Sequence, residues 1–199
     1  IHWPSSARTQ QLHSKVYEAT TVHKIAVFLN VDSSDGFESQ CSYDPDVLEL
    51  GIMAAASIAT WGLEQGYQVG LYTNGMHRGV PEPVVVGPRR DPEQWERILL
   101  ALGRLEPLLA TRFEKLLSLE SGRLPFGTST VVLTSTAGPA VAAALRALRA
   151  NGHAVTVILT GRRPSNVGLD GLAVRRVGPP EAWREMTVLS VESEAGANR

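Results

Sequence analysis

Short apolar runs alternate with longer amphipathic segments along most of the chain. Four runs rich in β-branched residues are typical of strands covered on both faces, and a shorter run follows them: residues 24–31, 67–75, 128–135, 153–161 and 171–178. Segments with apolar residues at helical spacing lie between them, at 45–65, 91–108, 111–122 and 137–152. This alternation predicts an α/β fold, a mainly parallel, doubly wound sheet with helices on both faces.

Local signals predict several boundaries of these elements. Asp44 is expected to cap the first helix, with Pro45 at its first position and Gly66 after its end. The apolar residues of this helix nearly encircle its axis, which predicts deep packing. The Asn-Gly pair at 74–75 predicts a turn that closes the second strand. Prolines flank residues 80–87, so we expect an edge strand there.

Composition limits the class of protein. The 199 residues, 43% of them apolar, are enough for one well-buried core. The net charge of −1 argues against a dedicated nucleic-acid binder. Cys41 is the only cysteine, so the chain has no internal disulfide and no thiolate metal cluster. The longest uncharged stretch, residues 51–63, is shorter than the roughly 20 residues that a membrane-spanning helix needs.

Ligands of open α/β sheets bind where the carboxyl ends of the strands meet. The loops 30–36 and 134–138 follow the first and fourth predicted strands, counting the edge strand at 80–87, and we expect them to line that crevice. The second loop also opens a helix, whose free N–H groups suit an anion. The residues of a candidate anion site are Thr136, Gly138, Arg162 and Arg163.

No set of residues with the spacing of a catalytic nucleophile and its base is present. The five histidines are scattered, none has zinc-pair spacing, and the G-x-S-x-G motif is absent. We assign no catalytic residue. A small-anion-binding or hydrolytic enzyme that uses the crevice is the alternative to a non-enzymatic function.

The first residues of the chain contain a motif that points to a particular protein family. Residues 1–8 have the sequence IHWPSSAR, and residues 48–75 follow with a helix and a strand. The chain resembles the bacterial domain-of-unknown-function family 58, whose hallmark is an IHW-x-x-SAR block leading into a strand of von Willebrand factor A type. The matching positions of the block are Ile1, His2, Trp3, Ser6, Ala7 and Arg8.

The resemblance implies a von Willebrand A-like domain with a sheet of five or six strands. One edge strand would be antiparallel, and residues 80–87 are the candidate. We expect residues 1–23 to be an extension that packs on the domain, 24–190 to be the domain, and 191–199 to be a frayed tail. For His2, Trp3, Ser6 and Arg8 we expect a structural anchoring role, with a contact surface as the alternative.

The family context adds expectations about location and partners. In this family the domain usually follows a pair of membrane helices, and the chain starts at Ile1 without a methionine. We therefore expect part of a longer, membrane-anchored protein, with this domain on the cytoplasmic side. Family members tend to be encoded beside AAA-type ATPases of the MoxR kind, which makes such an ATPase the expected partner. No enzymatic activity is established for the family as a class.

Metal-binding von Willebrand A domains use an Asp-x-Ser-x-Ser loop, a threonine from a second loop and an aspartate after the fourth strand. In this chain Asn30 replaces the aspartate, Asp32 replaces the first serine, and Ser34 keeps its type. Residues 134–136 offer no carboxylate after the fourth strand, and Thr111 is the nearest candidate threonine. Because charge dominates the binding of a hard dication, we expect a degenerate site and no cofactor. Mg²⁺ on Asp32 and Ser34 is the alternative.

The sequence thus predicts a non-enzymatic protein-interaction domain. Its working surface would be the carboxyl edge of the sheet, formed by Asn30, Asp32, Ser34, Thr134 and Ser135.

Overall fold

The computed structural model describes residues 22–33, 44–162 and 168–185, together with the backbone of a strand at 191–193. The strands are β1 (Lys24–Leu29), β2 (Gln68–Thr73), β3 (Gly75–His77), β4 (Val84–Arg89), β5 (Leu105–Leu109), β6 (Ser129–Thr134), β7 (Ala154–Leu159), β8 (Ala173–Val177) and β9 (Val191–Ser193). The helices are α1 (Pro45–Glu64), α2 (Gln94–Gly103), α3 (Phe113–Ser121) and α4 (Pro139–Ala150), followed by a 3₁₀ helix at Pro180–Arg184.

Seven strands form the main sheet, in the order β4-β2-β1-β6-β7-β8-β9. The five inner strands are mutually parallel, while β4 and β9 pair antiparallel at the two edges. The prediction of a mainly parallel sheet with an antiparallel edge strand near residues 80–87 is confirmed. The sheet has a second antiparallel edge strand, β9, which lies within the stretch predicted to be a frayed tail.

Helices cover both faces of the sheet, which confirms the doubly wound, three-layer arrangement. On one face α1 and α2 pack on the sheet through residues such as Leu50 and Ile98. On the other face α3 and α4 do so through residues such as Leu116 and Leu145. Successive residues of β1 point to opposite faces of the sheet: Val27 packs in the core under α1 and α2, and Phe28 in the core under α3 and α4.

The first helix begins as predicted and packs differently. The Asp44 carboxylate accepts hydrogen bonds from the N–H groups of Asp46 and Val47, at 3.0 and 3.4 Å. By length and composition α1 would be able to cross a membrane. Eight of its residues are buried along one side against the sheet, as in the core helix of a globular domain. The prediction of deep packing is therefore confirmed for one side of the helix only, since Trp61 on the other side is half exposed.

The predicted helix at 91–108 ends early. The chain leaves it at Gly103, and residues 105–109 form β5, which pairs with β3 in a separate two-stranded sheet. The second strand does end at the predicted Asn-Gly pair, but the chain only bends at Asn74 and continues from Gly75 as β3, which pairs with β5 and not with β2. A Cβ at Gly75 would lie 2.8 Å from side-chain atoms of both Val31 and Leu105, so any other residue at this position would have to displace these neighbours.

Candidate functional site

The carboxyl ends of β2, β1 and β6 lie side by side in the middle of the main sheet. From β1 the chain proceeds to β2 on one side, and later to β6 on the other, so strand order reverses there. This is the position at which open α/β sheets bind their ligands. The residues that follow the three strands are Asn74, Asn30 and Ser135.

A chain of side-chain hydrogen bonds connects the three strand ends. Asn74 Oδ1 accepts the buried N–H of Val31 at 2.9 Å, so its Nδ2 points at Asn30 Oδ1, also at 2.9 Å. That oxygen accepts the N–H of Asp32 as well, at 3.1 Å. Asn30 Nδ2 is therefore turned towards Thr134 Oγ1, 3.1 Å away. We call Asn30, Asn74 and Thr134 the amide network.

Further hydrogen bonds fix the loops around this network. Thr134 Oγ1 donates to the carbonyl oxygen of Thr136 at 2.6 Å, and Ser135 Oγ donates to that of Asp32 at 2.9 Å. Both Thr134 and Ser135 are buried. They hold the loops in position and are not part of an exposed surface, in contrast to the prediction. Ser33 Oγ accepts the N–H of Asp44 at 2.6 Å, which ties the loop after β1 to the start of α1.

A cleft of about 330 Å³ lies over the amide network. We call it the edge cleft. Its floor and walls are formed by Asn30, Asp32, Asn74, Leu109, Arg112, Phe113, Glu114, Thr136, Gly138 and Val141. The predicted residues Asn30, Asp32, Thr136 and Gly138 do meet there. Ser34 lies outside the described residues.

Sequence reasoning missed one wall of the edge cleft. Leu109 ends β5, and Arg112 and Glu114 flank the start of α3. Because the sequence pattern predicts a helix through residue 108, the strand that brings Leu109 to the cleft was not expected. Asn74 was also missed, although a polar residue directly after the strand next to β1 was a usable signal. Thr111, the predicted candidate for a metal-ligating threonine, precedes α3 and does not line the edge cleft.

The donor atoms at this edge are a poor match for a divalent cation. Asn30 and Thr134, near which the sequence alignment with metal-binding von Willebrand A domains places two aspartates, are neutral and hydrogen-bonded to each other. Asn30 Oδ1 already accepts two hydrogen bonds, and its Nδ2 is a donor. Within the part of the chain that the structure describes, no three His, Cys, Asp or Glu side chains cluster to hold a metal. Hard dications need several oxygens, usually with carboxylate charge among them.

Arg162 lies in a separate charged cluster. Its guanidinium donates to Asp44 Oδ2 and Glu181 Oε2 at 2.7 Å each, and to Asp46 Oδ2 at 3.3 Å. The hydrogen bond from Arg162 lowers the pKa of Asp44, and Asp44 in turn raises the pKa of Arg162. Trp183 Nε1 also donates to Asp46 Oδ1, at 3.0 Å. The cluster joins the loop after β7, the start of α1 and the 3₁₀ helix.

The structure therefore does not bring the predicted anion-site residues together. Thr136 and Gly138 line the edge cleft, whereas Arg162 lines another cleft of about 390 Å³. For Arg162 to hold an anion, it would have to exchange carboxylate partners that it already has. Arg163 lies outside the described residues, as do His2, Trp3, Ser6 and Arg8.

No protein-family model and no curated protein sequence matches the chain. Among solved structures, it is similar to proximal thread matrix protein 1 from the mussel byssus, with a TM-score of 0.57 and 14% identity. That match covers 82% of this chain and 45% of the other, so the chain spans less than half of that protein. An aerotolerance-related membrane protein from Bacteroides fragilis matches with a TM-score of 0.47 and 13% identity, over 69% of this chain and 67% of that one. At such identities the likeness to the mussel protein shows the α/β fold alone. The sheet of this chain, mainly parallel with antiparallel edge strands, is consistent with the von Willebrand A type.

Proposed function

We propose that this chain is a non-enzymatic protein-interaction domain that binds its partner at the edge cleft without a divalent ion. The observation that carries the proposal is the amide network. Neutral side chains occupy the positions of the two acids, and they satisfy one another and the buried N–H of Val31. Such a network makes the edge rigid, but it supplies little charge for a cation.

The rim of the edge cleft has the composition of an interface. Leu109 is 51% exposed at the end of β5, and Leu108 beside it is also exposed. Arg112, whose side chain is 86% exposed, and Glu114 add opposite charges 4.0 Å apart. An apolar centre with a polar rim is the usual anatomy of a protein–protein contact, and Arg is enriched there.

The resemblance to the bacterial family 58 supplies the partner in this proposal. The block that contains His2, Trp3, Ser6 and Arg8 supports membership of that family. A MoxR-type AAA ATPase encoded in the same genome is then the proposed partner. A membrane-anchored full-length protein, with this domain on the cytoplasmic side, belongs to the same proposal.

The test is a binding measurement with that ATPase, by biolayer interferometry in EDTA and in Mg²⁺. We expect binding in both conditions. Leu109→Ser combined with Arg112→Glu should weaken it at least about tenfold, the size of effect expected of central interface residues. The matched control is Phe126→Ser, which removes an 88% exposed aromatic from the loop before β6, at the opposite edge of the sheet. Binding that needs Mg²⁺, or that responds equally to both variants, would contradict the proposal.

A small-anion site in the same cleft is the second candidate function. One observation favours it: no side chain caps the start of α4, where Gly138 borders the cleft. Uncapped N–H groups at a helix start attract anions. A rise in melting temperature with inorganic phosphate that Gly138→Asp abolishes would support this candidate, because the aspartate would occupy the same N–H groups.

A further inference from the structure

An aromatic patch lies at the amino ends of the strands, at the edge of the sheet opposite to the edge cleft. It consists of His23, Trp61 and Tyr67. The Tyr67 ring packs edge-on against both others, with ring centroids 5.8 Å from Trp61 and 5.4 Å from His23. Trp61, on the last turn of α1, is nevertheless 52% exposed. A half-exposed indole beside two further rings leaves apolar surface uncovered.

We infer that residues 1–21 of this chain dock on the aromatic patch. The course of the chain points to this occupant. The carbonyl oxygen of His23 accepts the N–H of Gln68 at 2.9 Å, so the chain passes beside Tyr67 just before it becomes β1. The residue at position 21 is therefore separated from the patch by Val22 alone.

The length and composition of residues 1–21 are suited to covering the aromatic patch. Twenty-one residues reach about 70 Å when fully extended, so every side chain of the segment is able to reach Trp61. The segment carries Trp3, Leu12, Val16 and Tyr17, which are large and apolar enough to cover an indole. Because it is covalently attached, its effective concentration at the patch is about millimolar, which favours it over a separate molecule.

The first test places a single tryptophan reporter in the full 199-residue chain. Trp3, Trp95 and Trp183 are changed to phenylalanine, and acrylamide quenching of Trp61 is measured. Replacing Leu12, Val16 and Tyr17 by serine should then raise the quenching constant about twofold, because the indole loses its cover. In a parallel chain that keeps Trp183 as the reporter instead, the same three changes should leave quenching unaltered. An equal quenching constant of Trp61 with and without the serines overturns the inference.

The second test does not depend on altering the segment. Trypsin cleaves after Arg8 and Lys15, and a docked segment is cleaved slowly. Trp61→Ser should accelerate these cleavages about fivefold or more, by weakening the docked state. The matched control is Leu119→Ser, since Leu119 is 51% exposed on α3, on the other face of the sheet. Equal cleavage rates in the two variants overturn the inference, and so does Trp61 quenching that falls as protein concentration rises, which identifies a second copy as the occupant.

Discussion

The carboxamide of Asn74 donates a 2.9 Å hydrogen bond to the carboxamide oxygen of Asn30, joining the ends of two neighbouring parallel strands. The orientation of both side chains follows from the backbone, because Asn74 Oδ1 is held by the N–H of Val31 and Asn30 Oδ1 by that of Asp32. An amide both donates and accepts, which a carboxylate at neutral pH does not. The pair therefore fixes the start of the loop after β1 through hydrogen bonds between neutral side chains.

Asn74→Ala should destabilise the domain by about 2 kcal/mol, because the buried N–H of Val31 loses its acceptor and Asn30 Oδ1 loses a donor. Urea unfolding at neutral pH measures this cost. Leu109→Ala is the control in the same cleft, and as an exposed change it should stay within about 0.5 kcal/mol. Equal costs for the two variants would mean that the amide network does not hold this edge together.

Asn30→Asp should create an affinity for Mg²⁺ that we do not expect of the natural chain. The new carboxylate keeps its acceptor role towards Asn74 and the N–H of Asp32, and it adds charge beside Asp32. We expect the melting temperature of this variant to rise by about 3 °C in about 10 mM MgCl₂. Asn30→Ala should show no rise. If the natural chain itself gains several degrees in Mg²⁺, the ion-free interpretation of the edge cleft fails.

The parts of the fold that sequence predicts are those encoded locally. The Asp44 cap, the apolar inner strands and the proline-flanked strand β4 all depend on residues close in sequence. The strand β5 was missed although Pro107 in its middle is a local signal against a helix, and its pairing with β3 depends on residues far away in sequence. Asn74 illustrates the same limit in the site. Its dipeptide with Gly75 favours a turn, but its partners Val31 and Asn30 are more than 40 residues away.

Arg162→Gln should destabilise the domain at neutral pH, and this cost should shrink as the pH falls. The Arg162 guanidinium lowers the pKa of Asp44 below its ordinary value of 3.8. A lowered pKa in the folded state adds stability that is fully present above the unfolded pKa and is lost as the pH falls through the folded pKa. The natural chain should therefore exceed the variant in urea midpoint at pH 7, and the difference should shrink below about pH 4. Arg112→Gln, which removes only an exposed 4.0 Å pair with Glu114, should show no such difference at either pH.

Gln94→Met should cost about 3 kcal/mol and loosen the edge of the sheet at β4. Gln94 is fully buried, and its Nε2 donates to the carbonyl oxygens of Val69 and Gly87, at 2.7 and 2.9 Å. These carbonyls lie beside the irregular pairing of β2 with β4, between Val69 and Leu71, where the ladder is interrupted. Methionine preserves the volume and removes both donors, so the loss is that of the hydrogen bonds.

Two measurements separate this loss from a general weakening of the fold. Urea unfolding gives the cost, and amide hydrogen exchange shows where it is felt. In Gln94→Met we expect β1 and β6 to lose only the protection that corresponds to the cost measured in urea, while β4 loses more through local opening. Trp95→Phe on the same helix breaks only an exposed 3.2 Å hydrogen bond to Thr60 and should change neither measurement appreciably. A methionine variant as stable as this control would show that the two carbonyls find other partners, and that Gln94 is not what holds β4 against β2.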